Sequence, residues 1–130
     1  MTTAKMSLGA FLMSSGHHLA AWRHPRAWAG GGLDFQHFKK LATTAERGKF
    51  DAIFFADNLA LMGSPELGQF TTAGDVFDPL VLLSGLAAVT ERIGLVSTVS
   101  TSYNEPYLLA RKFASLDHLS GGRSGWNLVT

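Results

Sequence analysis

The chain has 130 residues, 46% hydrophobic and 16% charged, enough for one modest core and without the low-hydrophobicity signature of disorder. Eleven basic against ten acidic side chains leave a formal charge of +1 with no basic block or acidic tail, which argues against nucleic acid or anionic membrane as partners. Cysteine is absent, excluding disulfides and thiolate chemistry, and the apolar run 8–13 is too short for a signal-peptide core or a membrane span, so a cytoplasmic protein is expected.

In chain order, the nearly continuous apolar run at 6–15 predicts a first strand buried on both faces. Residues 16–32 form a long loop with three His, two Trp, two Arg and three closing Gly, and loops of that length more often bind or cover a ligand than merely connect. Asp34 is placed to cap a helix over 34–48, with Phe35, Phe38, Leu41, Ala42 and Ala45 on one side. A second strand over 52–58 ends abruptly in Asp57 and Asn58, and 59–77 is a second long loop without periodicity. Asp78-Pro79 starts a helix over 79–92 that is apolar nearly all round. A third strand over 94–101 grows hydroxyl-rich toward Thr101 and Ser102. Pro106 then begins a helix to 120, with Leu109, Phe113, Leu116 and Leu119 on or near one stripe. Gly121-Gly122 suits a helix C-terminus, where the left-handed region is open to a residue without Cβ.

The last stretch, 125–130, reads as a fourth strand in which Asn127 interrupts large apolar neighbours. A buried amide needs a partner, either nearby backbone or a ligand. Buried strands alternating with helices predict a parallel α/β sheet with right-handed crossovers. The informative polar residues collect at strand C-terminal ends, the rim at which barrel and open-sheet α/β proteins bind ligands.

The segments GHHLAAWRHP, FFADN and STSYNEPYLLARKFASLDHLSGGRSGWNLVT, in this order, resemble the flavin-dependent monooxygenases of the bacterial-luciferase-like superfamily, and within it the nitrilotriacetate, dibenzothiophene-sulfone and pristinamycin monooxygenase group. The resemblance implies a (β/α)8 TIM barrel that uses reduced FMN and O2 on a small organic substrate, draws reduced flavin from a separate NAD(P)H:flavin reductase, and forms a homo-oligomer. A whole barrel takes about 250 residues. Residues 1–130, with four parallel strands and three helices, therefore correspond to its N-terminal half, a partial domain truncated after the fourth strand and expected to be inactive alone.

Carried onto this chain, the resemblance makes Asp57, Thr101, Ser102 and Asn127 cofactor-binding candidates. Asp57 would orient the flavin edge, or else cap its own loop. Thr101 or Ser102 would donate to the ring, or else satisfy loop backbone. His17, His18 and Asn127 are the catalytic candidates, the histidines through substrate contact or proton delivery. His17, His18 and His24 lack a carboxylate at supporting spacing, so no metal is expected. A dinucleotide-binding fold is disfavoured because no Gly-x-Gly-x-x-Gly follows the first strand. A deazaflavin-dependent oxidoreductase of the same superfamily and a non-catalytic half-barrel that self-associates through open sheet edges stay as alternatives.

Overall fold

The computed structural model describes residues 5–18, 20–28, 30–59, 62–64, 69–71 and 76–130. The elements run β1 (Gly9–Phe11), a single 3-10 turn at Ala21–Arg23, α1 (Phe35–Arg47), β2 (Ala52–Phe55), β3 (Met62–Ser64), β4 (Gln69–Thr71), α2 (Pro79–Ala87), β5 (Gly94–Ser100), α3 (Pro106–Ser120) and β6 (Ser124–Val129). The main sheet has the order β1-β2-β5-β6 with every neighbour parallel. Sequential order without reversal, each pair joined through a helix, is the arrangement of the first half of a (β/α)8 barrel.

Which face each strand residue occupies follows from the register. Ile53 aligns with Leu95, and both are fully buried against Phe38 and Ala42 of α1, Leu82, Leu83 and Leu86 of α2, and Leu116 of α3. All three helices therefore cover one face of the sheet, which a doubly wound fold would not allow. The opposite face carries Phe11, Phe54, Val96, Thr98 and Asn127, aligned across the four strands. In a closed barrel this face is the interior.

Local sequence explains the element ends. Asp34 accepts from the N–H groups of Gln36 and His37, Asp78 from Val81 and Glu105 from Tyr107, so each helix begins on a carboxylate cap. Gly121 ends α3 at φ 71°, the left-handed conformation anticipated for the glycine pair.

Several expectations need correction, beginning with lengths: the first strand covers Gly9–Phe11 and not 6–15, the second Ala52–Phe55 and not 52–58, and the second helix ends at Ala87 and not at 92. β1 is not buried on both faces: Phe11 is 44% exposed, because β1 is an edge strand and the His17 ring covers its inner face only in part. Leu119 lies off the buried stripe of α3 and is 70% exposed. The loop at 59–77 contains an antiparallel pair, β3 with β4, where only irregular chain was expected; its remaining positions 60–61, 65–68 and 72–75 lie outside the described residues. Gly32 and Val76 form an isolated parallel bridge that ties this loop to the one after β1.

Candidate functional site

The loop between β1 and α1 is anchored by a compact polar cluster at the start of α1. Trp28 Nε1 donates to Asp34 Oδ2 at 2.8 Å, the Trp28 ring stacks on His37, and His37 Nε2 donates to the Ser14 carbonyl at 2.8 Å. The Trp28 bond is the main cause holding the Asp34 carboxyl below its ordinary pKa. His17 sits over the inner face, with Nε2 donating to the Phe11 carbonyl and its ring against Phe11, which in turn meets Phe54. His18 and His24 each accept a backbone N–H two residues on, from Ala20 and Arg26, closing local turns. Among the described residues no group of three His, Asp or Glu is arranged to hold a metal ion.

At the C-terminal ends of β2, β5 and β6 lies a cavity of about 360 Å³, walled by Asp57, Asn58 and Leu59 after β2, by Thr98, Ser100 and Tyr103 from β5 and the turn beyond it, and by Val129 and Thr130. Burial raises the Asp57 pKa, the nearby Asp78 charge adds to that, and the Asn58 N–H, which Asp57 Oδ1 accepts at 2.9 Å, opposes it. Thr98 and Ser100 are both buried, two residues apart on the inner face. Asn127 stands behind the wall, with Nδ2 donating to Thr98 Oγ1 at 3.0 Å. Asn104 Nδ2 donates to the Ser100 carbonyl and fixes the turn that carries Tyr103.

The structure thus places Asp57 on the wall and Asn127 next to it, while His17 lies against Phe11 at the end of β1 and His18 follows it in the loop, neither lining the cavity. Thr101 and Ser102 are exposed on the turn: the Thr101 hydroxyl donates to the Val129 carbonyl at 3.3 Å, and the Ser102 N–H donates to Ser100 Oγ at 3.1 Å. Ser100 belongs to the polar tip read from the sequence at 100–104, whereas Thr98 was not singled out, although parity would have marked both. Leu95 must face the helices, so 98 and 100 must face the other way.

A larger groove of about 430 Å³ lies between α2 and α3, lined by Leu80, Val81, Leu108 and Leu119 among others. It holds no residue from any strand, and so is separate from the rim.

A family model described as luciferase-like monooxygenase matches residues 11–130. The chain is 51% identical over its whole length to N-acetyl-S-(2-succino)cysteine monooxygenase of Bacillus subtilis (strain 168), covering 29% of that protein. It is 45% identical over 97% of its length to nitrilotriacetate monooxygenase component A of Aminobacter aminovorans, covering 30% of it. The solved structure of EDTA monooxygenase from Chelativorans sp. BNC1 superposes with a TM-score of 0.83 at 37% identity, over 98% of this chain and 29% of that one. The chain spans under a third of the length of each of these proteins.

Proposed function

The chain belongs to the luciferase-like monooxygenase family, and we propose that it forms the N-terminal, four-strand part of a two-component, FMN-dependent monooxygenase acting in the cytoplasm. One observation carries the flavin reading: among the described residues the rim cavity offers a carboxylate and two buried hydroxyls but no Lys or Arg. That donor set fits the flat, uncharged ring of FMN, with its alternating carbonyl and N–H edge, and does not fit the phosphate. When bound, reduced FMN supplies the electrons that activate O2. In this reading Asp57 accepts from a ring N–H, Asn127 and the β5 hydroxyls position the ring edge, and His17 and His18 at the end of β1 meet the substrate or hand on a proton. Phe11 and Phe54 give the inner face an apolar floor that excludes water.

The substrate we favour is a small organic molecule bearing several carboxylates. Two relatives named above are monooxygenases of such compounds, N-acetyl-S-(2-succino)cysteine and nitrilotriacetate. Between Gly16 and Gly32 this chain carries Arg23 and Arg26 with no acidic residue, and neither arginine has an ion pair among the described residues. We further propose that residues 1–130 alone do not oxygenate substrate, because four strands leave the site open on one side. Supplying the chain with nitrilotriacetate, FMN, a flavin reductase, NADH and O2 tests this. Hydrogen peroxide without oxygenated product is expected, and an oxygenated tricarboxylate product formed by the chain alone would contradict it.

A further inference from the structure

The hydroxyls near the end of β5 divide into two kinds. Ser97, on the helix face, donates to the Thr98 carbonyl, and Thr101 donates to the Val129 carbonyl, so both spend their hydrogens on backbone. Thr98 and Ser100 do the reverse. Thr98 Oγ1 accepts from Asn127 Nδ2 and Ser100 Oγ accepts from the Ser102 N–H, and groups of that kind can only donate. Neither the Thr98 nor the Ser100 hydroxyl hydrogen has an acceptor among the described residues. Yet Thr98 is only 5% exposed and Ser100 8%, and both line the rim cavity. A buried hydroxyl ordinarily donates as well as accepts.

We propose that Thr98 and Ser100 are a pair of dedicated hydrogen-bond donors, their oxygens locked by Asn127 and the Ser102 N–H so that both hydrogens point into the cavity, and that they bind the carbonyl edge of the flavin with a preference for its reduced form. The proposal rests on the flavin reading above. Two positions along a strand separate the hydroxyls by roughly 6–7 Å, so they address two acceptors or two ends of one polar edge. Reduction raises electron density on the flavin pyrimidine oxygens, so fixed O–H donors stabilise the reduced ring more than the oxidised one. Asn127 is then a positioning residue, acting through Thr98.

Calorimetric titration of the chain with FMN, oxidised and anaerobically reduced, tests this. Thr98→Val keeps the side-chain shape and removes the hydrogen, and should weaken reduced FMN about tenfold, the scale of one hydrogen bond to a charged or polarised acceptor, with a smaller effect on oxidised FMN. Thr98→Ser should restore binding. Asn127→Asp sets an acceptor beside Thr98 and draws its hydrogen out of the cavity, so it should match Thr98→Val. In the Thr98→Val background it should add little, whereas a simple charge effect would add in full. Wild-type affinity in both Thr98→Val and Asn127→Asp, with native thermal midpoints, would overturn the donor assignment alone. Absence of FMN binding by the wild-type chain would overturn the flavin reading and the assignment with it.

Discussion

The two ends of the sheet use their polar residues in opposite ways. At the N-terminal ends of the strands, side chains are consumed by backbone. Asp51 accepts from the Leu8 N–H, Glu46 Oε1 accepts from the N–H groups of Glu91, Arg92 and Ile93, and Asp117 accepts from the N–H and hydroxyl of Ser124. The Arg123 guanidinium donates to the carbonyls of Ala87, Thr90, Ile93 and Ser120 and to the Thr90 hydroxyl. At the C-terminal ends, Asp57 holds one neighbouring N–H and lines a cavity, and two hydroxyl hydrogens have no acceptor among the described residues. Charge spent on orphaned backbone groups stabilises the fold; polar capacity left open at the other rim is available to a ligand.

Breaking the first rim should cost the most. Arg123→Ala leaves four carbonyls and a buried hydroxyl without their donor, and we expect a loss of about 3–4 kcal/mol in chemical denaturation, enough to threaten the fold. Arg123→Lys should recover only part of it, since an ammonium cannot fork to all five acceptors. Next comes Glu46→Ala, at about 2–3 kcal/mol for three deserted N–H groups.

The two rims should also respond oppositely to pH. Burial works to raise the Glu46 pKa, but the N–H groups of Arg92, Ile93 and Glu91 and the Arg92 charge together hold it below the ordinary carboxylate value. A depressed folded pKa means stability that is present above the unfolded Glu value and is lost as pH falls through the folded one. Asp57, with a raised pKa, binds more protons folded than unfolded, so its contribution declines as pH rises through that window. Asp57→Asn should therefore leave stability at neutral pH unchanged or raise it by less than about 1 kcal/mol after solvent screening. Denaturation profiles of both variants from acid to neutral pH check the pair, and parallel profiles would erase the distinction between the rims.

The smallest expected effect on stability is that of Asp57→Ala, for which the loss should appear in ligand binding instead. In a protein that closes the barrel, we expect reduced FMN to bind about 1–3 kcal/mol more weakly. Unchanged affinity with a large drop in melting temperature would make Asp57 a loop cap and nothing more.

Much of this was legible in the sequence because local chemistry states it directly. Asp34 and Asp78-Pro79 announce helix starts, Gly121 a helix end, and the runs at 52–58 and 94–101 their strands, which end at Phe55 and Ser100. What escaped depended on partners distant in sequence. Glu46 looks like an ordinary solvent-facing helix residue until α1 is set beside the turn before β5. Within the run of hydroxyls at 97–102 residue type alone does not say which positions face a ligand; strand parity sets Thr98 and Ser100 opposite Leu95, and the alignment with Asn127 gives Thr98 its partner. β1 looked doubly buried because its composition suits a closed barrel, and these residues build only one side of it.

Residue-resolved mapping of FMN binding by NMR tests the division between the rims most directly. We predict that amide signals of Asp57, Thr98, Ser100 and Asn127 shift on titration while those of Glu46, Ile93 and Arg123 stay in place. Shifts concentrated at the N-terminal rim or in the groove between α2 and α3, with the four rim residues silent, would contradict it.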